Sequence, residues 1–209
     1  ANLMPCHKHN GTEVKNWRGK LGIAMEDFVI CFFGVIRAGK GIEVLLEAFR
    51  VVHSRYPHTK LLFIGRIDEA YFDRSIKPII NEHEFSSSIL MTGPCPAEAV
   101  SQYFAISDIC VLPFEDGVST KRGSFMAALH HGLPIITTRG RFVPEGLMDR
   151  ENVMLVDYGS SKGLANAIVE LIENDELRTG LARKALELAR EFCWDNIALR
   201  TLGLYRSVS

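Results

Sequence analysis

Apolar residues along this chain fall into two alternating patterns. Short unbroken runs end at glycine or proline, and longer stretches repeat apolar positions at helical spacing. The first run, Phe28-Val-Ile-Cys-Phe-Phe33, stops at Gly34 and reads as a strand buried on both faces. From Lys40 to about Tyr56 the apolar positions are Ile42, Leu45, Leu46, Phe49 and Val52, the stripe of an amphipathic helix that Pro57 ends. Leu61–Ile64 then runs to Gly65, and a polar helix-like stretch follows to about Glu84. Ile89–Met91 runs to Gly93, with Pro96 set to open the next helix in its first turn. Ile109–Leu112 ends at Pro113, a helix over Ser124–His131 stops at Gly132, and Pro134–Thr138 is the next strand. A loop with Pro144 and Gly146 leads to Val153–Val156. Beyond it the pattern is purely helical: one stripe over Leu164–Ile172, another over Leu177–Phe192, and a last segment Trp194–Tyr205.

Strand–turn–helix cycles in this order predict an α/β fold, a Rossmann-like doubly wound six-stranded parallel sheet with helices on both faces. The 209 residues make one large domain, or one with a small appendage. Residues 1–24 read as a linker or lead-in segment, and residues 25–209 as the domain. Ligands of such sheets sit outside the carboxyl ends of the strands, so the loops after Phe33, Ile64, Met91, Leu112 and Thr138 are the places to search.

Composition narrows the partners. With 24 Lys+Arg against 25 Asp+Glu, the chain has no electrostatic footprint for nucleic acid. Its longest apolar stretch, Phe28–Ile36, is far short of the roughly 20 residues that span a bilayer, so no transmembrane segment is expected. The first residues are polar and lack the apolar block of a signal peptide; a start at Ala1 reads as a processed product or an excised fragment. The five cysteines are scattered, with no C-x-x-C pair. That usage fits a reducing compartment, the cytoplasm, and gives no zinc pattern.

Two loops carry candidate chemistry. Gly34-Val-Ile-Arg-Ala-Gly39-Lys40-Gly41 matches G-x-x-x-x-G-K but has glycine where a Walker A loop needs the Mg²⁺-binding hydroxyl of Ser or Thr. The pattern leaves open a backbone that approaches a phosphate, with Lys40 as its cation and a helix N-terminus behind, or a tight turn with a solvated lysine. The second loop, Pro113-Phe-Glu-Asp-Gly-Val-Ser-Thr-Lys-Arg-Gly-Ser-Phe-Met-Ala-Ala128, sets Glu115 and Asp116 ahead of Lys121 and Arg122 at a helix start. Ser119, Thr120 and Gly123 add hydroxyls and free amides, an anion-friendly set. The alternative is a solvated loop whose charges pair with one another. A P-loop NTPase would require a Walker B acid, and none stands out.

The chain resembles the C-terminal, donor-binding half of a family 4 (group 1) glycosyltransferase of the GT-B fold. The resemblance runs from about residue 25 to near the end. Its markers are Phe33-Gly34, Lys40-Gly41, Leu45-Leu46-Glu47-Ala48-Phe49, Leu62-Phe63-Ile64-Gly65, Met91-Thr-Gly93, Tyr103–Pro113, Gly132-Leu-Pro134, Pro144-Glu145, Asn152–Val156 and Phe192-Cys-Trp194. Each piece is degenerate alone, and in family order they are specific. The resemblance implies a retaining, metal-independent hexosyl transfer from a UDP, GDP or ADP sugar, with no cofactor. It also implies an N-terminal acceptor domain missing from this chain, and a cytoplasmic location that leaves room for peripheral membrane contact through that domain. By family position, Gly34 and Lys40 would meet the phosphates. The loop at Gly93-Pro94-Cys95 would read the base, and Ser119, Thr120, Lys121, Arg122 and Gly123 would lie under the sugar and phosphates. No catalytic residue is assigned.

This sequence departs from the family at three positions. Val35 stands where the family has an arginine, and Ser119 and Ala127 stand where it has two glutamates, the second of which holds the ribose hydroxyls. Two explanations stand side by side: Lys121, Arg122 or Arg37 supplies the missing charge, or the donor site has decayed into a non-catalytic nucleotide-binding or regulatory module. The histidines read as structural. His130-His131 suit a helix end, His7 and His9 lie in the lead-in without a carboxylate pattern, and His53, His58 and His83 read as surface residues. Glu115-Asp116 read as a loop tip rather than an acid pair, Glu145 as a turn residue, and Phe192 and Trp194 as anchors of the last helix.

Overall fold

The apolar run at residues 28–33 lies in the middle of the sheet, where a strand has a partner on each edge. The structure is a computed structural model that describes residue 6, residues 9–82 and residues 84–207. His7, His83 and the side chain of Trp194 lie outside the described residues. In chain order the elements are α1 (Gly11–Lys20), β1 (Phe28–Phe33), α2 (Ile42–Arg55), β2 (Thr59–Ile64), α3 (Glu69–Tyr71), a π-helical turn (Phe72–Ile76) and α4 (Lys77–Asn81). A 3-10 turn (Glu84–Ser88), β3 (Ile89–Met91), α5 (Ala97–Ala105), β4 (Ile109–Leu112) and α6 (Gly123–His130) follow. The last elements are β5 (Ile135–Arg139), β6 (Met154–Asp157), α7 (Ser161–Glu173), α8 (Asp175–Glu191) and α9 (Trp194–Ser207).

The six strands pair in parallel in the order β3-β2-β1-β4-β5-β6. This is the Rossmann order that the pattern predicts, and its direction of travel reverses between β1 and β4. Ile30 sits in register with Leu61 on one side and Ile109 on the other. Right-handed crossovers that run in opposite directions along the sheet, β1 to β2 and β4 to β5, put α2 on one face and α6 on the other. α7 returns to pack on α2, and α8 packs on α6. Phe32, Phe49, Phe63, Phe104 and Phe125 are fully buried between these layers. Cys31 and Cys110 face each other across β1 and β4, buried and free, and burial pushes the Cys110 thiol pKa up. Among the described residues no helix is long and apolar enough to cross a membrane.

The structure differs from the sequence pattern in three places. The polar stretch before Glu84 is not one helix. Pro78 has no N–H to continue an α ladder, and the chain passes through a π-helical turn before α4. Pro96 is the N-cap of α5 rather than a first-turn residue. Residues 11–20, part of the expected lead-in, form a helix that docks on the domain. Its start is a reciprocal cap: the Glu13 amide donates to Asn10 Oδ1 at 3.0 Å, and the Asn10 amide donates to Glu13 Oε2 at 3.0 Å.

Arg18 fastens that helix to the amino ends of β1 and β4. Its guanidinium, 9% exposed, donates to the carbonyls of Asp27 and Ile106 at 2.9 Å each and to Asp108 Oδ2 at 3.1 Å. The same Asp108 oxygen accepts the Val29 amide at 2.7 Å. Removing the guanidinium strands a carboxylate and two carbonyls. Breaking a buried pair costs about 3–5 kcal/mol, and Asp108 keeps some solvent, so Arg18→Met is expected to cost about 2–3 kcal/mol. Urea unfolding reads this as a lower midpoint at unchanged slope; a loss below about 0.5 kcal/mol would show that Arg18 does not anchor α1.

Candidate functional site

The order reversal between β1 and β4 sets their two following loops side by side at the carboxyl edge. Backbone contacts lock the loops there. Gly41 ends the β1 loop at φ +67°, and a Cβ on it would stand 2.0 Å from the Pro113 carbonyl oxygen. Gly117, at φ +83°, packs so closely that its Cβ would stand 2.1 Å from Gly140 Cα in the loop after β5. Position 41 is where a Walker A loop needs its hydroxyl, and no side chain fits there.

Cations gather at this junction. The Lys40 ammonium lies 5.1 Å from the centroid of the Phe114 ring, and the Arg122 guanidinium carbon lies 4.1 Å from the same centroid. Arg122 Nε donates to the Gly117 carbonyl at 3.1 Å, and its Nη2 pairs with Asp116. Burial holds the Lys40 pKa below the usual lysine value, and the nearby charges of Arg122 and Arg37 push it the same way, while Asp116 opposes them. Three cations therefore act on one place with one carboxylate among them.

Helix ends face the same edge. Asn10, Asp68, Ser160 and Asn174 cap α1, α3, α7 and α8 with side-chain oxygens. The helices that follow β1, β3 and β4, namely α2, α5 and α6, have no side-chain cap. Their first-turn amides have no acceptor within the helix, which leaves them available to an anion. In the loop before α6, the Ser119 carbonyl accepts the Arg122 amide at 3.0 Å and Ser119 Oγ accepts the Lys121 amide at 3.2 Å. The loop is thus wound toward the helix start at Gly123.

Of the residues named from sequence, Gly34, Lys40, Ser119, Thr120, Arg122 and Gly123 lie in these two adjoining loops. Lys121 is in the loop but exposed, and it is not among the charges that act on Lys40. Pro94 stands apart: β2 lies between β3 and β1, and its loop is tied to the β2 loop through the Gly65–Gly93 bridge and Thr92. Sequence reasoning missed Phe114, whose apolar side chain carried no signal beyond its place after a strand. It also missed Tyr71, 5% exposed, whose hydroxyl donates to Glu43 Oε2 at 2.5 Å. Burial, and then the Glu43 carboxylate, push that phenol pKa up, with a smaller push from Glu115. Glu115 and Asp116 thus serve different neighbours. Ala127 is buried in α6.

The histidines are partly corrected. His131 ends α6 as its C-cap, with Nδ1 on the Ala127 carbonyl and Nε2 on Ser101 Oγ. His9 does face a carboxylate, Glu13, at 3.8 Å. His53 is not a plain surface residue: it stacks on Phe49 and bonds Thr59 Oγ1 at 3.1 Å, and burial lowers its pKa. A groove of about 560 Å³ lies away from the site, between residues 145–152 and the end of α8. It carries four glutamates and a single lysine, Lys184, so it lacks the positive charge gathered at the sheet edge.

Comparison with known proteins follows the same lines. The family described as glycosyl transferases group 1 matches residues 13–188. A D-inositol 3-phosphate glycosyltransferase of Corynebacterium urealyticum is 27% identical over 95% of this chain and 48% of its own length. A phosphatidyl-myo-inositol mannosyltransferase of Mycobacterium leprae is 25% identical over 81% of this chain and 44% of its own length. The chain thus spans about half the length of the curated relatives it matches. Among solved structures, Anabaena Alr3699/HepE in complex with UDP superposes with a TM-score of 0.83 at 20% identity, over 95% of this chain and 54% of that one. The same protein has been solved with UDP-glucose. The C-terminal domain of the glycosyl transferase group 1 protein LpcC from Francisella tularensis has a TM-score of 0.75 at 21% identity, over 91% of this chain and 95% of that one. These structural likenesses establish the fold.

The contact at Gly41 is open to test against a nearby glycine. Gly39 shares a positive φ, +80°, but has open space around a Cβ. Gly39→Ala is expected to cost only the backbone strain, about 1–2 kcal/mol. Gly41→Ala adds a collision with fixed backbone, and its loss is expected to exceed that of Gly39→Ala by about 1 kcal/mol or more. Equal losses in chemical unfolding would mean that the two loops do not meet at this carbon.

Proposed function

We propose, for a chain that belongs to the glycosyl transferases of group 1, that this domain binds a nucleoside-diphosphate sugar. On this reading it is the donor half of a retaining, metal-independent hexosyltransferase. The observation that carries the proposal is the convergence of Lys40, Arg122 and Arg37 beside the uncapped starts of α2 and α6 at the order reversal. A diphosphate leaving group needs its developing charge neutralised. Protein cations and helix amides gather here, where a metal-assisted site would gather carboxylates.

The hexosyl part draws support from a relative named as a mannosyltransferase and from the UDP-glucose complex of HepE. The acceptor would be held by a further domain, in keeping with the half-length match to the relatives. Charge relocation accounts for Val35: Arg122 and Arg37 act on Lys40 without an arginine at that position. The glutamate expected at position 127 has no acidic substitute within α6, whose residues are Gly-Ser-Phe-Met-Ala-Ala-Leu-His. That lack favours the second reading, a nucleotide-binding module without catalysis, and sugar transfer measured with the full-length protein separates the two.

A melting screen over UDP, GDP, ADP and their sugars tests the donor site. A ligand at about 100 times its Kd stabilises by about 2.7 kcal/mol, which for a domain of this size is a shift of about 5–10 °C. No shift with any of them at millimolar concentration would remove the donor reading.

The state of Lys40 gives a second test. A bound diphosphate favours the ammonium and raises its lowered pKa, so binding takes up a proton between the two values. Nucleoside-diphosphate affinity is expected to be flat near neutral pH and to fall as pH rises, beginning below the ordinary lysine value of 10.5. In Lys40→Arg this alkaline fall should vanish, since arginine stays charged. A fall that persists unchanged in Lys40→Arg would place the titration elsewhere.

A further inference from the structure

We infer that Phe114 is a positioning residue for the donor diphosphate: its buried ring holds the Lys40 ammonium and the Arg122 guanidinium together, so that the phosphates meet two fixed cations. The inference rests on the donor-binding reading above and goes beyond it, because it assigns the geometry of the cations to a side chain that touches no substrate.

The ring is fully buried and its backbone is fastened from three directions. The Phe114 amide donates to the Leu112 carbonyl at 3.0 Å, and its carbonyl accepts the Gly117 amide at 3.2 Å and the Thr138 hydroxyl of β5. A ring held this way cannot follow the cations; the cations settle on it. Lys40 comes from the β1 loop and Arg122 from the start of α6, and the ring is a shared neighbour of both. Two like charges brought this close repel. The negative face of an aromatic quadrupole is a neutral group that attracts both. An aspartate or glutamate in its place would also attract them, but would repel the incoming phosphates. Asp116, which does pair with Arg122, stands at the exposed side with 74% of its side chain open, where the pair contributes little. The ring therefore holds the cations without cancelling the charge that a diphosphate needs to find.

The test compares each nucleoside diphosphate (UDP, GDP and ADP) with its own nucleoside by calorimetry. Wild type, Phe114→Leu, and protein with mono-, di- and trifluorophenylalanine at position 114 are measured. Fluorination drains the quadrupole and nearly preserves shape, so it decides the question even where Phe114→Leu does not fold. For the diphosphate that binds, Kd is expected to rise step by step with fluorination, reaching about three- to tenfold, while the nucleoside Kd stays unchanged. A flat diphosphate series, or diphosphate and nucleoside weakening together, would overturn the assignment and leave the donor reading intact. Absence of binding by wild type would instead overturn the donor reading and this inference with it.

Discussion

The contact between Gly41 and the Pro113 carbonyl governs the carboxyl edge of this sheet. β1 and β4 are adjacent in space but far apart along the chain, and their loops leave in opposite directions. Nothing in strand pairing alone requires those loops to touch. A residue without a Cβ at the end of the first loop lets the second lie directly on it. Lys40 immediately before this glycine, and Phe114 immediately after the proline, are then neighbours by construction.

Bringing cations together in this way has a cost that the surroundings must offset. The charges of Arg122 and Arg37 both oppose the Lys40 ammonium, and at an effective dielectric near 20 two unit charges repel by about 4 kcal/mol at about 4 Å and by less with distance. A cation–π contact contributes about 0.5–2 kcal/mol, depending on desolvation, and an exposed ion pair about 0–1 kcal/mol. The ring contacts of Lys40 and Arg122 therefore offset part of their repulsion, and add to what the exposed Asp116 pair contributes. The lowered pKa of Lys40 reflects its burial first and the charges of Arg122 and Arg37 second. Free amides at the starts of α2 and α6 add partial positive charge with no side-chain oxygen to neutralise it.

Most of the fold was legible because its signals are local. Continuous apolar runs closed by Gly34, Gly65, Gly93 and Pro113 mark strands, largely buried in β1, β2 and β4 and partly exposed in the edge strand β3, and the observed strands agree to within about two residues, the usual fraying of element ends. The 69–81 segment was less legible, since it stays helical but passes through a π-helical turn ahead of Pro78, which the apolar spacing does not announce. α1 was hidden by its polar composition, although Asn10 and Glu13 carry the spacing of a reciprocal cap. At the site, Lys40 and Arg122 were legible as charges next to glycine at strand ends. Their common support was not: Phe114 looks like any apolar residue after a strand, and only the packing of two distant loops shows that both cations rest on it. The reach of Arg37 to Lys40, and the separation of Lys121 from it, likewise depend on side-chain direction that spacing does not encode.

Rigid support of this kind decides when the cost of gathering charge is met. If the cations were free on mobile loops, an arriving anion would have to order two long side chains, at about 0.5–1.5 kcal/mol each, and overcome their repulsion at the same time. Here the ring is fixed by β4 and β5, the loops are fixed by glycine contacts, and part of the repulsion is already offset in the folded domain. The electrostatic field at the carboxyl edge is thus a property of the fold, set by strand order and two tight glycines.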